Sequence, residues 1–165
     1  MRINNATNPW DYLITWAKTN NTYYENIARD LNLSNSLGYT ASNLDVLKHT
    51  IAAADGAIND GAAWTSTLGY GNEVYSAAKG RDGYNEHAKD LYNNYVGIAV
   101  GEWLQDNLGR APTLDDILTV MPILVKSGVL ADRGHSPKGS IGILYALEAS
   151  DYGDSAGVHP IIETR

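Results

Sequence analysis

Residues 84–107 form a long helical pattern whose polar side constrains the fold more than any other feature of the chain. The apolar positions cover more than half of this helix: Leu91, Tyr92, Tyr95, Val96, Ile98, Ala99, Val100 and Trp103. The remaining side carries Glu86, Asp90, Asn93, Asn94, Gly97 and Gly101. Two glycines cost a helix roughly 2 kcal/mol relative to alanine. Their four-residue spacing indicates that another backbone packs closely against this side.

Residues 42–58 provide the partner for that contact. Their apolar stripe contains Leu44, Leu47, Ile51, Ala54 and Ile58, and the opposite side contains Asp45, His49, Ala52, Ala53 and Gly56. The small residues on that side permit a close crossing over the two glycines. Such a crossing would bring His49 near Asp90 and the two asparagines. The alternative is that the polar side of residues 84–107 is a solvated helix face.

The rest of the chain predicts a mainly α, compact, single-domain helical bundle spanning residues 1–165. Pro9 suits the first turn of a first helix, and Thr22 with Glu25 has the spacing of a capping box for a second, short helix. Thr113 and Asp116 cap a further helix that Pro122 should kink or restart and Gly128 should end. A last helix is predicted over residues 140–149.

Residues 59–83 are rich in glycine, asparagine and serine. This composition predicts a long loop containing one short helix near residues 73–79. Long loops inside compact domains often carry function.

Composition narrows the function classes. The chain of 165 residues has a formal net charge of −7, which disfavours a broad nucleic-acid-binding surface. It has no cysteine, so disulfides and cysteine metal ligands are excluded. We find no signal-peptide pattern and no apolar run long enough to span a membrane.

The residues near the predicted crossing suggest a catalytic site. A histidine next to a carboxylate can act as a general base or as a metal ligand. We assign His49 as the base or ligand, Asp90 as the group that orients it or acts as a second carboxylate, and Glu86 as an assisting group. Asn93 and Asn94 would bind substrate. The cofactor is left open; a divalent metal would use His49 and Asp90 with Glu86 or His87.

Two segments resemble a known family. The segment SNLDVLKHTIAAA is similar to a D-A-x-R/K-H-A motif, and AKDLYNNYVGIAVG is similar to a D-L-x-N-N-x-x-G motif. The segment PTLDDILTVMPILVKSGVL resembles the helix that follows them. The family is the uncharacterised helical domain at the C-termini of bacterial Rhs-type polymorphic toxins, and the resemblance covers about residues 40–131.

The resemblance matches Asp45, Lys48 and His49 in the first motif, and Asp90, Asn93, Asn94 and Gly97 in the second. It adds Asp45 and Lys48 to the substrate-binding residues. Two departures put catalysis in question. The family's His-Glu pair before the aspartate has no counterpart in YSAAKGRDG, so that role has moved to Glu86 and His87, has been lost, or is missing because the sequence is an altered form. The arginine that follows the glycine in the family is replaced by Ile98.

The resemblance implies an antibacterial effector or toxin domain, secreted or delivered into a target bacterial cell. The expected activity is hydrolysis of a glycan or peptidoglycan-type substrate, and the resemblance implies a cognate immunity protein as partner. One alternative is a non-catalytic helical binding module, such as an adaptor, an immunity-type protein or a degenerate toxin. The other is a nuclease toxin.

Overall fold

The computed structural model describes residues 9–31, 33, 43–80 and 83–131 of the chain. This part contains five helices and no strand: α1 (Pro9–Asp30), α2 (Asn43–Asp60), α3 (Ala62–Ala78), α4 (Tyr84–Asn107) and α5 (Leu114–Ser127). The predicted mainly α fold is therefore confirmed. The helix predicted over residues 140–149 lies outside the described residues. None of the described helices is both long enough and apolar enough to cross a lipid bilayer.

The centre of the bundle is the pairing of α2 with α4. Helix α1 packs on α2, α3 contacts both α2 and α4, and α5 contacts the same two helices. The largest fully buried side chains come from α2, α4, α5 and the segment after α5: Leu47, Ile51, Leu104, Ile117, Met121, Leu124 and Leu130. Burial of these aliphatic side chains is the main stabilising contribution to the bundle.

Helix α5 begins and ends where the sequence predicts. The Asp116 carboxylate accepts a hydrogen bond from the Thr113 backbone N–H at 2.8 Å, and Arg110 holds the same carboxylate through two contacts of 2.8 and 2.6 Å. Gly128 ends the helix in the left-handed conformation at φ +67°. The helix continues through Pro122 instead of restarting there.

Two predicted boundaries were wrong. The separate helices expected at Pro9 and Thr22 form one continuous helix, α1, because nothing between them breaks the helical pattern. The segment predicted as a long loop is mostly helix α3, Ala62–Ala78. Its glycines lower helix propensity, but its packing against α2 and α4 outweighs that cost.

Candidate functional site

Helices α2 and α4 meet backbone to backbone at two glycines. A Cβ atom added at Gly97 would lie 2.2 Å from the carbonyl oxygen of Thr50, and one added at Gly101 would lie 2.7 Å from that of Ala54. No real side chain tolerates such distances, so only glycine fits at either position. The predicted close crossing is confirmed, although it uses Ala53, Ala54 and Ala57 of α2.

The predicted contribution of Ala52 and Gly56 to the crossing is not observed. A Cβ atom at Gly56 would meet Thr65 of α3 at 2.8 Å, so this glycine lies against α3. Ala52 is half-buried and packs against the apolar core. The small residues of α2 therefore serve two neighbouring helices, which the sequence pattern did not separate.

The crossing brings His49 of α2 to the polar side of α4. Its Nδ1 lies 3.0 Å from Oδ1 of Asn94, and its Nε2 lies 3.8 Å from Oδ2 of Asp90. Nε2 also lies 3.8 Å from Oδ1 of Asp45, one turn earlier on α2. Since Asn94 Oδ1 can only accept a hydrogen bond, Nδ1 donates and Nε2 is directed at the two carboxylates. Only 13% of the His49 side chain is exposed.

A buried lysine links the carboxylates of this site. The Nζ atom of Lys89 lies 3.2 Å from Asp45 Oδ2, 3.2 Å from Asp90 Oδ1 and 3.0 Å from Glu86 Oε2. Each aspartate therefore directs one oxygen towards Lys89 and the other towards His49. We call Asp45, His49, Lys89, Asp90 and Asn94 the crossing site.

A second histidine–carboxylate pair lies beside the crossing site. His87 Nδ1 of α4 lies 2.8 Å from Oε2 of Glu73 on α3, and the Glu73 side chain is only 6% exposed. Glu73 is missing from the sequence-based site because its segment was predicted to be loop or short helix. One signal was present: Glu73 is the only charged residue of α3.

The electrostatics of the crossing site follow from burial and an excess of carboxylates. Burial raises the pKa of Asp90 to about 6; His49 and Lys89 oppose this shift, while Asp45 and Glu73 add to it. Burial acts the same way on Asp45, but His49 and the two lysines outweigh it and lower the pKa of that carboxyl. Burial disfavours the charge of Lys89, yet its three carboxylate partners raise the pKa of its ammonium.

The predicted site residues divide into three groups. Asp45, His49, Asp90 and Asn94 come together at the crossing site, and Lys48 lies at its edge, 2.6 Å from Asp45 Oδ1. Glu86 is connected to the crossing site by its ion pair with Lys89.

Asn93, the third case, is directed away from the crossing site. It is fully buried, donates to the carbonyl of Ala131 at 2.9 Å and accepts from the N–H of Ala131 at 3.0 Å. Its amide holds the segment that follows α5 against α4. The two neighbouring asparagines therefore have different surroundings, and only Asn94 belongs to the crossing site.

Three side chains of the crossing site have the composition and spacing of metal ligands. One ligand atom each from Asp45, His49 and Asp90 lies within 4.8 Å of the others. The sequence had proposed Glu86 or His87 as the third ligand. The structure instead brings Asp45 into that position and pairs Glu86 with Lys89 and His87 with Glu73.

Comparisons with models of known protein families, with curated proteins and with solved structures found no match to this chain.

Proposed function

We propose that this chain is a hydrolase domain of the bacterial toxin or effector type, and that the crossing site is its active site. The observation that carries the proposal is the setting of His49. Asn94 fixes one ring nitrogen, the other is directed at two carboxylates, and the ring is largely shielded from water. An imidazole held in this way is suited to activating a water molecule, directly or through a bound cation.

The cost of building this site supports a functional role. The helix crossing requires two helix-weakening glycines, and it buries Asp90 and Lys89 among helices that could otherwise pack through aliphatic residues. The resemblance to Rhs-type toxin domains lies on the same residues, since Asp45, His49, Asp90 and Asn94 all fall in its two motifs. The proposed class rests on that resemblance together with the geometry.

A glycan of the peptidoglycan type is the proposed substrate class. The net charge of −7 opposes binding of a polyanion. Two exposed tyrosines are next in sequence to residues that lie in contact at the crossing site. Gly69 of α3 lies against the Asn94 side chain, and Tyr70 and Tyr95 are the residues that follow these two. Exposed aromatic rings combined with amide groups suit a neutral, hydroxyl-rich ligand.

The proposal is tested by producing the chain in the cytoplasm and, separately, in the periplasm of a bacterium. We expect growth to stop when the wild type or Glu102→Gln reaches the periplasm, and to continue with His49→Ala or Asp90→Asn. Glu102 is an exposed carboxylate on α4 and serves as the matched control. Arrest only in the cytoplasm would favour a nuclease, and arrest that persists in His49→Ala would contradict the proposed site.

A second candidate is a binding module, and the outer face of α3 favours it. Trp64, Tyr70, Val74 and Tyr75 are each about half exposed or more. Glu73, the one charged residue of this helix, is buried, so no charged side chain interrupts that face. Exposed aromatic patches of this kind are typical of protein interfaces. An immunity-type partner would fit such a surface.

A further inference from the structure

We infer that the crossing site binds one divalent transition-metal ion of the Mn²⁺ or Zn²⁺ class through Asp45 Oδ1, His49 Nε2 and Asp90 Oδ2. One ligand atom from each of these residues lies within 4.8 Å of the others, and Nε2 of His49 lies 3.8 Å from both Asp45 Oδ1 and Asp90 Oδ2. In a tetrahedral site with bonds of about 2.1 Å, neighbouring ligand atoms lie about 3.4 Å apart. Binding an ion would therefore draw each carboxylate oxygen about 0.4 Å closer to Nε2 than its present 3.8 Å and bring the two carboxylates closer to each other.

The orientation of His49 is the first support for a metal. Metal-binding histidines almost always donate their second ring N–H to an oxygen, which fixes the lone pair on the nitrogen that binds the ion. Asn94 Oδ1 provides this contact at 3.0 Å from Nδ1. The lone pair of a neutral ring then lies at Nε2, which is 3.8 Å from both carboxylates and too far from either for a hydrogen bond.

The carboxylate of Asp90 is an independent support. Asp90 is 7% exposed, and its Oδ1 is a buried oxygen that accepts no hydrogen bond from any described residue. Its contact with Lys89, at 3.2 Å, is an ion pair on the side away from His49. Buried carboxylates normally accept several hydrogen bonds, so this one is short of partners. A cation bound by its other oxygen, Oδ2, which lies 3.8 Å from His49 Nε2, would provide one.

The donor set indicates which ions fit. Two carboxylate oxygens and one imidazole nitrogen, without sulfur, suit Mn²⁺ and Zn²⁺ better than soft Cu⁺ or the all-oxygen shells of Ca²⁺. Three protein ligands leave coordination positions for water, as in catalytic sites. The catalytic meaning of the ion rests on the proposed hydrolase function, whereas its binding does not.

Lys48 provides a specific test of the third ligand. Its Nζ lies 2.6 Å from Asp45 Oδ1, so an ammonium group now occupies the neighbourhood of the oxygen assigned to the metal. The two cations compete for this oxygen. Lys48→Met should therefore bind the ion several-fold more tightly, and unchanged or weaker binding would contradict the role of Asp45.

The experiment is a titration of the chelator-treated 165-residue chain with Mn²⁺, with free Mn²⁺ followed by its electron paramagnetic resonance signal. We expect one equivalent to bind, the affinity to fall at least tenfold in His49→Ala and Asp45→Asn, and Glu102→Gln to match the wild type. Circular dichroism checks that each variant stays helical. Because the Asp45 side chain is 38% exposed, Asp45→Asn should fold even where a buried substitution does not.

No binding to the wild type, or binding that both variants retain, would overturn the assignment. The result is independent of the growth assay. Stoichiometric binding without growth arrest would support the metal site and contradict the hydrolase function. Growth arrest that depends on His49, without metal binding, would support the hydrolase function and contradict the metal site.

Discussion

At the scale of single residues, the two adjacent asparagines of α4 carry different functions. Asn93 holds both backbone groups of Ala131, whereas Asn94 holds the ring of His49. We expect Asn93→Ala to lower the free energy of unfolding by roughly 2–5 kcal/mol, because it leaves a buried N–H and a buried carbonyl without partners. Asn94→Ala should change it by less than about 1 kcal/mol but reduce growth arrest at least tenfold. Urea unfolding and the growth assay separate the two effects, and equal stability losses would contradict the distinction.

Tyr24 links α1 to α2 and sets a limit on stability at high pH. It is buried and donates a hydrogen bond to Asp55 Oδ2; burial, together with that carboxylate, raises the pKa of its phenol well above 10. Unfolded tyrosine loses its proton near pH 10 while the folded residue keeps it. The unfolded state then binds fewer protons, so stability falls as pH rises past about 10.

We therefore expect Tyr24→Phe to lose about 1–2 kcal/mol at pH 8 and to show a smaller further loss between pH 9 and pH 11 than the wild type. Unfolding in urea at each pH provides the measurement. Tyr23→Phe, which alters the neighbouring half-exposed phenol, is the control and should follow the wild type. Parallel pH curves for Tyr24→Phe and the wild type would show that the Asp55 contact does not hold the proton.

At the scale of helices, the glycines of α4 fix the geometry from which the site follows. We expect Gly97→Ala to lower the free energy of unfolding by at least about 2–3 kcal/mol, because its Cβ would overlap the Thr50 carbonyl. Gly71→Ala in α3 is the matched control: nothing lies within 4 Å of its Cβ, so helix propensity should make it more stable by about 0.5–1 kcal/mol. The same sign for both substitutions would contradict the close crossing.

The contrast between α3 and α4 shows how far sequence reasoning extends at this scale. In α4, apolar residues at helical spacing and two glycines on the polar side were enough to predict the helix, its partner and the meeting of His49 with Asp90. Helix α3 has no such stripe, and its glycines and serines mimic a loop. Its stability comes from contacts between distant residues, such as Gly56 with Thr65 and Glu73 with His87. Local sequence patterns do not indicate such contacts. The helix was therefore not predicted, and Glu73 was not recognised as a site residue.

At the scale of the whole molecule, the enzyme and binding-module proposals differ in where a substitution should act. If the chain acts as a hydrolase, Trp64→Ser and Tyr75→Ser on α3 should leave growth arrest within about twofold of the wild type, because both residues are exposed and far out on the helix surface. If it acts by capturing a partner, these substitutions should abolish growth arrest, and His49→Ala should leave growth arrest unchanged. Helicity and melting temperature, unchanged in all three variants, provide the control.

The fold class could be predicted from the sequence because helical periodicity is a local property. The toxin assignment depends instead on the resemblance of two short motifs. A motif of this kind indicates a function only through the reaction that its residues carry out. Whether Asp45, His49 and Asp90 act on a glycan depends on the shape of the substrate-binding surface around them, which no residue pattern specifies. The hydrolase function is therefore a prediction, whereas the helix crossing that supports it is a structural observation.

The central claim is that the α2–α4 crossing holds His49 in a fixed orientation between Asn94 and the two aspartates. Nitrogen-15 NMR of the histidine rings in metal-free protein tests it directly. We predict a slowly exchanging proton on Nδ1 of His49 that is lost in Asn94→Ala. A His49 ring whose protons exchange rapidly with water, and which behaves identically in Asn94→Ala, would contradict the claim.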